Sequence, residues 1–310
     1  MNNIYVSTLH NPFLNVAFER QLSEIYTDDV SLFLWQNEEC VVIGRNQNPL
    51  VECNLDYLKT NNIHLTRRFS GGGAVFHDLG NVNYTLVMKE ADYDLNKAKE
   101  FLLKVFEYLC LDVKFSGRND MTINDCKFSG QAYYAHKKMY VLHGTLLVDL
   151  NLQTLSKCLT PSKMKLDSKG IKSVKSRVIN LKDVKVDISI NDIYQKMIVA
   201  FKDVYGDAKE IKEIDESYIN DELLKFIQTD EWIYSQSPKF NIEIEKRFPF
   251  GTFNLQLLIK NNKIKEVSIF TDSLDTLWEE LEENLIDTKF DETLIWSKVY
   301  EYSTRLQSKK

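Results

Sequence analysis

Three stretches in the first two-thirds of the chain carry apolar residues at helical spacing. One starts at Asn11-Pro12, where asparagine is a good N-cap and proline at the first helical position loses no intrahelical bond. Leu14, Ala17, Phe18, Leu22 and Ile25 then form a one-sided stripe. Asp94 opens a second helix through Leu95, Ala98, Phe101, Leu102, Val105, Phe106 and Leu109. Ser189 opens a third, with Ile193, Met197, Ala200, Phe201 and Val204 on one side. A short helix is expected from Leu55 to about Lys59. Elsewhere the period falls toward two. Residues 30–35 and 40–43 read as strands around the turn Asn37-Glu38-Glu39, and Gly44 to Pro49 closes the second of them. Another strand leads into RRFSGGGAVFHDLGN, and 82–88 is a further one. VKFSG, MTI, CKFSGQAYY and MYVLHGTLLVDL follow as strands joined by tight turns, with Asn124-Asp125 a hairpin corner. The expected fold class is α+β, with helices flanking a mixed, mostly antiparallel sheet. The regular strand–helix alternation of a doubly wound fold is missing.

After Trp232 the rhythm changes. YSQSPKFNIEIEKRFPFG has two prolines and a charge cluster, as a linker or loose crossover would. Residues 252–260 and 263–270 then read as strands joined by Asn261-Asn262. Leu274, Leu277, Leu281 and Leu285 mark one helix, and 291–307 suggests another. This small α+β unit has too few residues for a large core and should lean on the rest of the chain.

With 310 residues, 44% of them hydrophobic, the chain has ample material for a packed core. Its formal charge of -6 argues against indiscriminate nucleic-acid binding. The five cysteines form no CxxC pair and several lie among apolar residues, which suits reduced core thiols better than a zinc knuckle or disulfide framework. The five histidines include no HExxH arrangement. The N-terminus lacks the basic and apolar regions of a signal peptide, and no stretch approaches the ~20 apolar residues of a membrane span. A cytoplasmic location without stable membrane association is the expectation. One segment breaks the acidic average: between Lys157 and Lys185 nine Lys/Arg residues stand against two aspartates. It is either a solvated loop or an electropositive surface for an anionic ligand or acidic partner.

The most informative segment is Arg67 to Phe76. Three consecutive glycines surrender much backbone entropy, and in return offer exposed N–H groups and close approach. Arg68 beside them is suited to a forked contact with phosphate. The Gly-Lys-Ser/Thr ending of a Walker A loop is absent, as is the dinucleotide fingerprint. The alternative is a tight glycine corner between strands. Ser116 to Asp120 and Lys127 to Ala132 are a second pair of glycine-punctuated turns, placed to face one cleft. Asp120 is a candidate magnesium ligand together with ligand phosphates, or else a partner for Arg118 or a turn cap. Lys127 is either solvated or a point charge opposite the glycine loop.

RRFSGGGAVFHDLGN, SGRNDM, KFSGQAY, HGTLL and KGIKSVKSRVINL, in that order and with VVIGRNQNP upstream, resemble the motif series of lipoate–protein ligases. The resemblance covers residues 1–245 as a catalytic domain, and 246–310 resembles the family's accessory domain. It implies a fold like that of biotin and lipoate protein ligases. It also implies activation of free lipoate by ATP and magnesium to lipoyl-AMP, then transfer to a carrier lysine. The carriers implied are apo lipoyl domains of 2-oxoacid dehydrogenase complexes or glycine-cleavage H protein, with no nucleic acid involved. A monomer is expected. Carried over residue by residue, the family's adenylate-binding arginine falls on Arg68. Its loop covers Gly71, Gly72, Gly73, Ala74, Val75 and Phe76, and its catalytic lysine is Lys127, between carboxylate and phosphate. His143, Gly144 and Thr145 line the acyl-adenylate cleft in this reading, Asp120 is the magnesium-associated acid, and the basic segment covers the adenylate. Two other readings stay open: a transferase using a preformed activated donor, and a regulatory protein that binds lipoate or adenylate without turnover.

Overall fold

The computed structural model describes residues 2–25, 27–117, 119–160, 178–234, 240, 242–260, 262–274 and 278–307. Five strands come first: β1 (Asn2–Ser7), β2 (Ser31–Trp35), β3 (Cys40–Ile43), β4 (His64–Arg67) and β5 (Val75–His77). β6 (Asn81–Lys89), β7 (Lys114–Ser116), β8 (Asp120–Ile123), β9 (Cys126–His136) and β10 (Met139–Leu147) follow. The last four are β11 (Ala208–Ile214), β12 (Ile242–Phe248), β13 (Gly251–Lys260) and β14 (Lys263–Thr271). Eight strands make one sheet in the order β11-β1-β2-β6-β10-β9-β8-β7. β1 is parallel to β11 and β2, and the remaining neighbours are antiparallel. The expected α+β class, with a mixed and mostly antiparallel sheet, is the one that forms.

Side chains alternate across this sheet, so its two faces are built from interleaved residues. Leu32, Leu34, Val82, Leu86, Leu142 and Leu146 share a core with the buried sides of helices Leu95–Tyr108 and Ile190–Tyr205. Phe101 and Phe201 meet there edge-on at 6.3 Å. Both helices start where their caps predict: Asp94 accepts from Asn96 and Lys97 N–H groups, and Ser189 with Asp192 forms a capping box. On the other face Trp35, Asn83 and Thr145 lie abreast, with Phe33, Thr85 and His143 in the next row. Helix Pro12–Leu22, capped by Asn11, packs Val16, Ala17, Phe18 and Leu22 into a core with Phe33, Trp35, Val87 and Val141. Asn124 and Asp125 both have positive φ, 51° and 60°, as the expected tight hairpin requires.

Several local expectations change. Ile25 lies beyond the first helix and is 54% exposed, while Asn15 and Glu19 take buried positions on its inner side. β1 and β11 were not anticipated. β11 repeats Lys-Glu-Ile on a largely exposed edge, so it carries no period-two apolar pattern. The stretch read as a linker contains β12, and the 245/246 boundary falls inside that strand. Ile242, Ile244 and Phe248 pack onto the small unit's core while charged residues alternate with them, a period-two signal hidden by the neighbouring prolines. Leu274 precedes its helix, which is Trp278–Leu285. Arg118, Asn261, Leu277, residues 235–239 and residues 161–177 of the basic segment lie outside the described residues. Among the described residues no helix is long and apolar enough to cross a membrane.

The small unit is the sheet β12-β13-β14 with helices Trp278–Leu285 and Glu292–Gln307 around Phe253, Leu255, Trp278, Leu281 and Val299. It touches the large unit through backbone. Thr271 N donates to Asn46 O at 2.6 Å and Gly72 N to Ser273 O at 2.7 Å. Arg45 adds a forked contact to Glu279, at 3.1 Å from Nε and 2.5 Å from Nη2.

Candidate active site

The third sheet, β4-β3-β5, faces the polar rows of the large sheet across a cavity of about 150 Å3. From β3 and β5 come Val42, Val75 and His77; from the large sheet come Trp35, Asn83, His143, Gly144 and Thr145. Val16 and Glu19 of the first helix and Asn119, Lys127 and Gly130 of the β8–β9 region complete most of the wall. The two turns expected to share a cleft do share it.

Arg68, Gly72, Gly73, Ala74, Val75, Lys127, His143, Gly144 and Thr145 all line this cavity, and Gly71 and Phe76 do not. The reason for Phe76 is strand alternation. Val75 and His77 point one way, and Phe76 packs the other way among Val41, Ile43 and Leu58. Gly71 lies under the small unit. A Cβ there would sit 2.3 Å from Ser273 O, so only glycine permits the two units to meet as they do. Gly72 adopts φ +94, and its N–H is taken by Ser273 O. Gly73 has open space beside it.

Arg68 holds this loop from beneath. It is 7% exposed, with Nε donating to Ser70 Oγ (3.0 Å), Nη1 to Val42 O (3.0 Å) and Nη2 to Gly71 O and Gly73 O (2.7 and 2.8 Å). Burial lowers its pKa to about 10, which leaves it a cation at neutral pH. Most of its fork is thus spent on carbonyls, and its charge reaches the cavity through the loop it shapes. Arg67 does the same for the preceding turn, donating to Gly44 O, Arg45 O, Gln47 O and Ile233 O. Neither arginine forms a salt bridge in these contacts, so one buried cation underlies the glycine loop and a second the turn beside it.

At the mouth Lys127 Nζ lies 2.7 Å from Asp120 Oδ1, both side chains being more than a third exposed. Gly130 is the floor beneath this ammonium group: a Cβ there would come within 3.1 Å of Nζ. Asn119 braces the turn, donating from Nδ2 to Gln131 O at 2.7 Å and accepting from Gln131 N at 2.8 Å. Among the described residues no three His, Cys, Asp or Glu come together as a metal cage. A lone half-exposed carboxylate does suit magnesium, which is often held by one or two carboxylates plus substrate phosphates.

Sequence reasoning missed the polar network in the wall. His143 is engaged at both ring nitrogens, by Ser70 Oγ at Nε2 and Glu19 Oε1 at Nδ1, each at 2.7 Å. Thr85 Oγ1 also donates to Glu19 at 2.7 Å, and Trp35 Nε1 donates to Thr85 at 3.1 Å. Both ring nitrogens of His143 are thus held within the wall. Glu19 looks from sequence like a polar break in an apolar stripe. The available signal was in β6, where Asn81, Asn83 and Thr85 alternate with apolar residues in a strand buried nearly end to end. Of the cysteines, Cys40, Cys53 and Cys158 are buried, and burial raises the thiols of Cys53 and Cys158 to about 12 and 11. No cysteine lines the cavity among the described residues.

Residues 11–202 match the family model for the lipoyl protein ligase A/B catalytic domain, and 237–308 that for the bacterial lipoate protein ligase C-terminus. A lipoate-protein ligase A of Psychrobacter cryohalolentis is 40% identical over 307 residues, covering 95% of this chain and 91% of the relative. The crystal structure of P. falciparum LipL1 in complex with lipoate aligns at a TM-score of 0.83 and 31% identity, over 99% of this chain and 98% of that one. A lipoate-protein ligase A bound with ATP aligns at a TM-score of 0.64 and 26% identity, over 76% of this chain and 100% of that one.

Proposed function

The chain belongs to the lipoate-protein ligase A family, and we propose that it joins free lipoate to a lysine of a lipoyl carrier, using ATP and passing through lipoyl-AMP. The observation that carries this reading is the convergence of Lys127 and the Gly72–Val75 stretch on one cavity. The same wall carries the apolar side chains of Val16, Trp35 and Val42. Such a lining suits an acid whose carboxylate stays at a cationic mouth while its chain is buried.

In the first half-reaction a carboxylate oxygen attacks the α-phosphorus and pyrophosphate leaves. Both partners are anions, so their approach needs fixed positive charge. Lys127 supplies a mobile ammonium group between them. The backbone of Gly73 and Ala74, stiffened by Arg68, holds the phosphate. Asp120 would hold magnesium together with the nucleotide phosphates, where the ion offsets their charge. The Lys127–Asp120 contact is then the resting arrangement, and its exposure makes it inexpensive to open. In the second half-reaction the carrier amine attacks the acyl carbon, AMP leaves, and the departing phosphate takes the amine proton. The absence of a cysteine from the described cavity wall supports direct transfer over a thioester route. Carriers of the expected kind are lipoyl domains of 2-oxoacid dehydrogenase complexes or glycine-cleavage H protein.

The test is the intact mass of an unmodified lipoyl domain after incubation with the protein, magnesium and lipoate, with and without ATP. A lipoyl increment only with ATP is the expected result. Modification only from supplied lipoyl-AMP would make the protein a transferase, and no modification from either donor would overturn the reading.

A further inference from the structure

Buried polar atoms nearly always have hydrogen-bond partners, yet three donors in the cavity wall lack them, one of them Gln131 Nε2 beside Lys127 and Gly130. The other two are His77 Nε2 and Asn83 Nδ2, on residues that are each 2% exposed. For His77 the identity of the free atom as a donor follows from its neighbours. Asn15 Nδ2 contacts Leu9 O and Gln36 O, which only accept, so that atom is the amide nitrogen. It therefore donates to Asn37 Oδ1 at 2.9 Å, which turns Asn37 Nδ2 toward His77 Nδ1 at 3.2 Å. Nδ1 must then accept, and the ring proton sits on Nε2. Burial, with Arg68 and His143 nearby, depresses the imidazole pKa to about 3, so the ring stays neutral.

The place of this N–H in the cavity suggests its use. His77 packs edge-on to the Trp35 indole at 6.2 Å, and Trp35 is the cross-strand partner of Asn83. Along β5, His77 lies two residues beyond Val75, roughly 6.5 Å farther from the glycine loop. The unpaired His77 donor and the indole therefore lie together in the wall on the side away from the glycine loop.

On the reading that this cavity takes lipoate, we propose that His77 is a specificity-determining residue, its Nε2–H meeting a ring sulfur of the dithiolane and thereby favouring lipoate over a plain eight-carbon acid. Sulfur is a weak acceptor and packs favourably beside aromatic rings. A methyl terminus would fill similar space but leave the buried N–H without a partner, and a site built around a donor rejects the analogue that lacks the acceptor. Asn83 Nδ2 is the second donor available to the same ring.

The test titrates lipoate and octanoate calorimetrically, and measures ATP-dependent carrier modification with each acid, for wild type, His77→Leu and His77→Gln. Wild type is expected to bind lipoate about tenfold tighter than octanoate. His77→Leu should reduce that ratio to about twofold or less, and His77→Gln, which keeps a donor, should retain most of it. His77→Phe carries the same expectation as Leu should the Leu variant fail to fold. An unchanged ratio in the donor-free variants, with both affinities falling together, would overturn the proposal and leave His77 a structural residue or the partner of an ordered water. The two readings fail separately. A ratio that moves as expected without any carrier modification sinks the ligase reading alone, and modification with an unmoved ratio sinks this one alone.

Discussion

The two faces of the eight-stranded sheet are made from the same strands, yet they do opposite work. On β6, Val82, Tyr84 and Leu86 belong to the core under the helices Leu95–Tyr108 and Ile190–Tyr205, whereas Asn83 and Thr85 face the cavity side. On β10, Leu142 and Leu146 pair with the first set, and His143 and Thr145 with the second. Both sets are mostly buried, so exposure does not separate them. Chemistry does. One side gains free energy from apolar area removed from water. The other has an apolar patch under helix Pro12–Leu22, and beside it buries polar groups that stabilise little but are held in fixed directions by one another. Function lies on the side where burial is least profitable for stability.

The sharpest way to break this contrast is to damage each side in turn. Phe101 is fully buried and meets Phe201 and Tyr205. Phe101→Ala should cost about 3–5 kcal/mol of unfolding free energy, as large aromatic deletions in cores do. Activity at low temperature should stay within about threefold, because nothing in the cavity touches that ring. Chemical denaturation alongside the carrier assay checks both halves; a severe loss of turnover in the folded variant would dissolve the distinction between the faces.

Lys127→Ala is the converse. The ammonium–carboxylate pair it breaks is more than a third exposed on both sides, so its loss should change stability by no more than about 1 kcal/mol. Formation of lipoyl-AMP should fall roughly 10²–10³-fold, the usual effect of removing one preorganised charge stabiliser. Pyrophosphate release measured with saturating ATP and lipoate is the direct readout. Near-normal release would remove Lys127 from the chemistry.

How much of this was legible from residues alone differs between the faces for the same reason. The helix-covered side writes itself as apolar stripes ended by Asp94 and by the Ser189–Asp192 box, and both helices form where the stripes stand. The glycine stretch was legible as well, since three consecutive glycines are a costly pattern in an ordinary loop, and Lys127 was reached through the order of the motifs. The wall was not. Glu19, His77, Asn83 and Thr85 become a site only once β6 has been registered against β2 and β10 and the β4-β3-β5 sheet laid across them. Those are contacts between residues as far apart as 19 and 143. Residues 71 and 76 show the limit of motif transfer. A motif marks a stretch, but the direction of each side chain is set by strand alternation and by what the small unit covers.

The smallest expected effect, and the one most particular to the cavity side, is its sensitivity to acid. His77 is held neutral in the folded state, its pKa pushed by burial from an ordinary 6.5 to about 3, with Arg68 and His143 adding to the depression. In the unfolded chain it takes up a proton near pH 6.5. Between these values the unfolded state binds more protons, so stability is complete above about pH 6.5 and drains as pH falls toward 3. By pH 4.5 this group alone should remove on the order of 2 kcal/mol. His77→Gln cannot titrate, so its stability-versus-pH slope between pH 6 and 4.5 should be shallower by about one proton. Denaturant midpoints across that range would reveal the difference. Parallel slopes in the two proteins would mean that the buried imidazole opens to solvent before the fold does, and that the cavity wall yields to acid earlier than the helix-covered core.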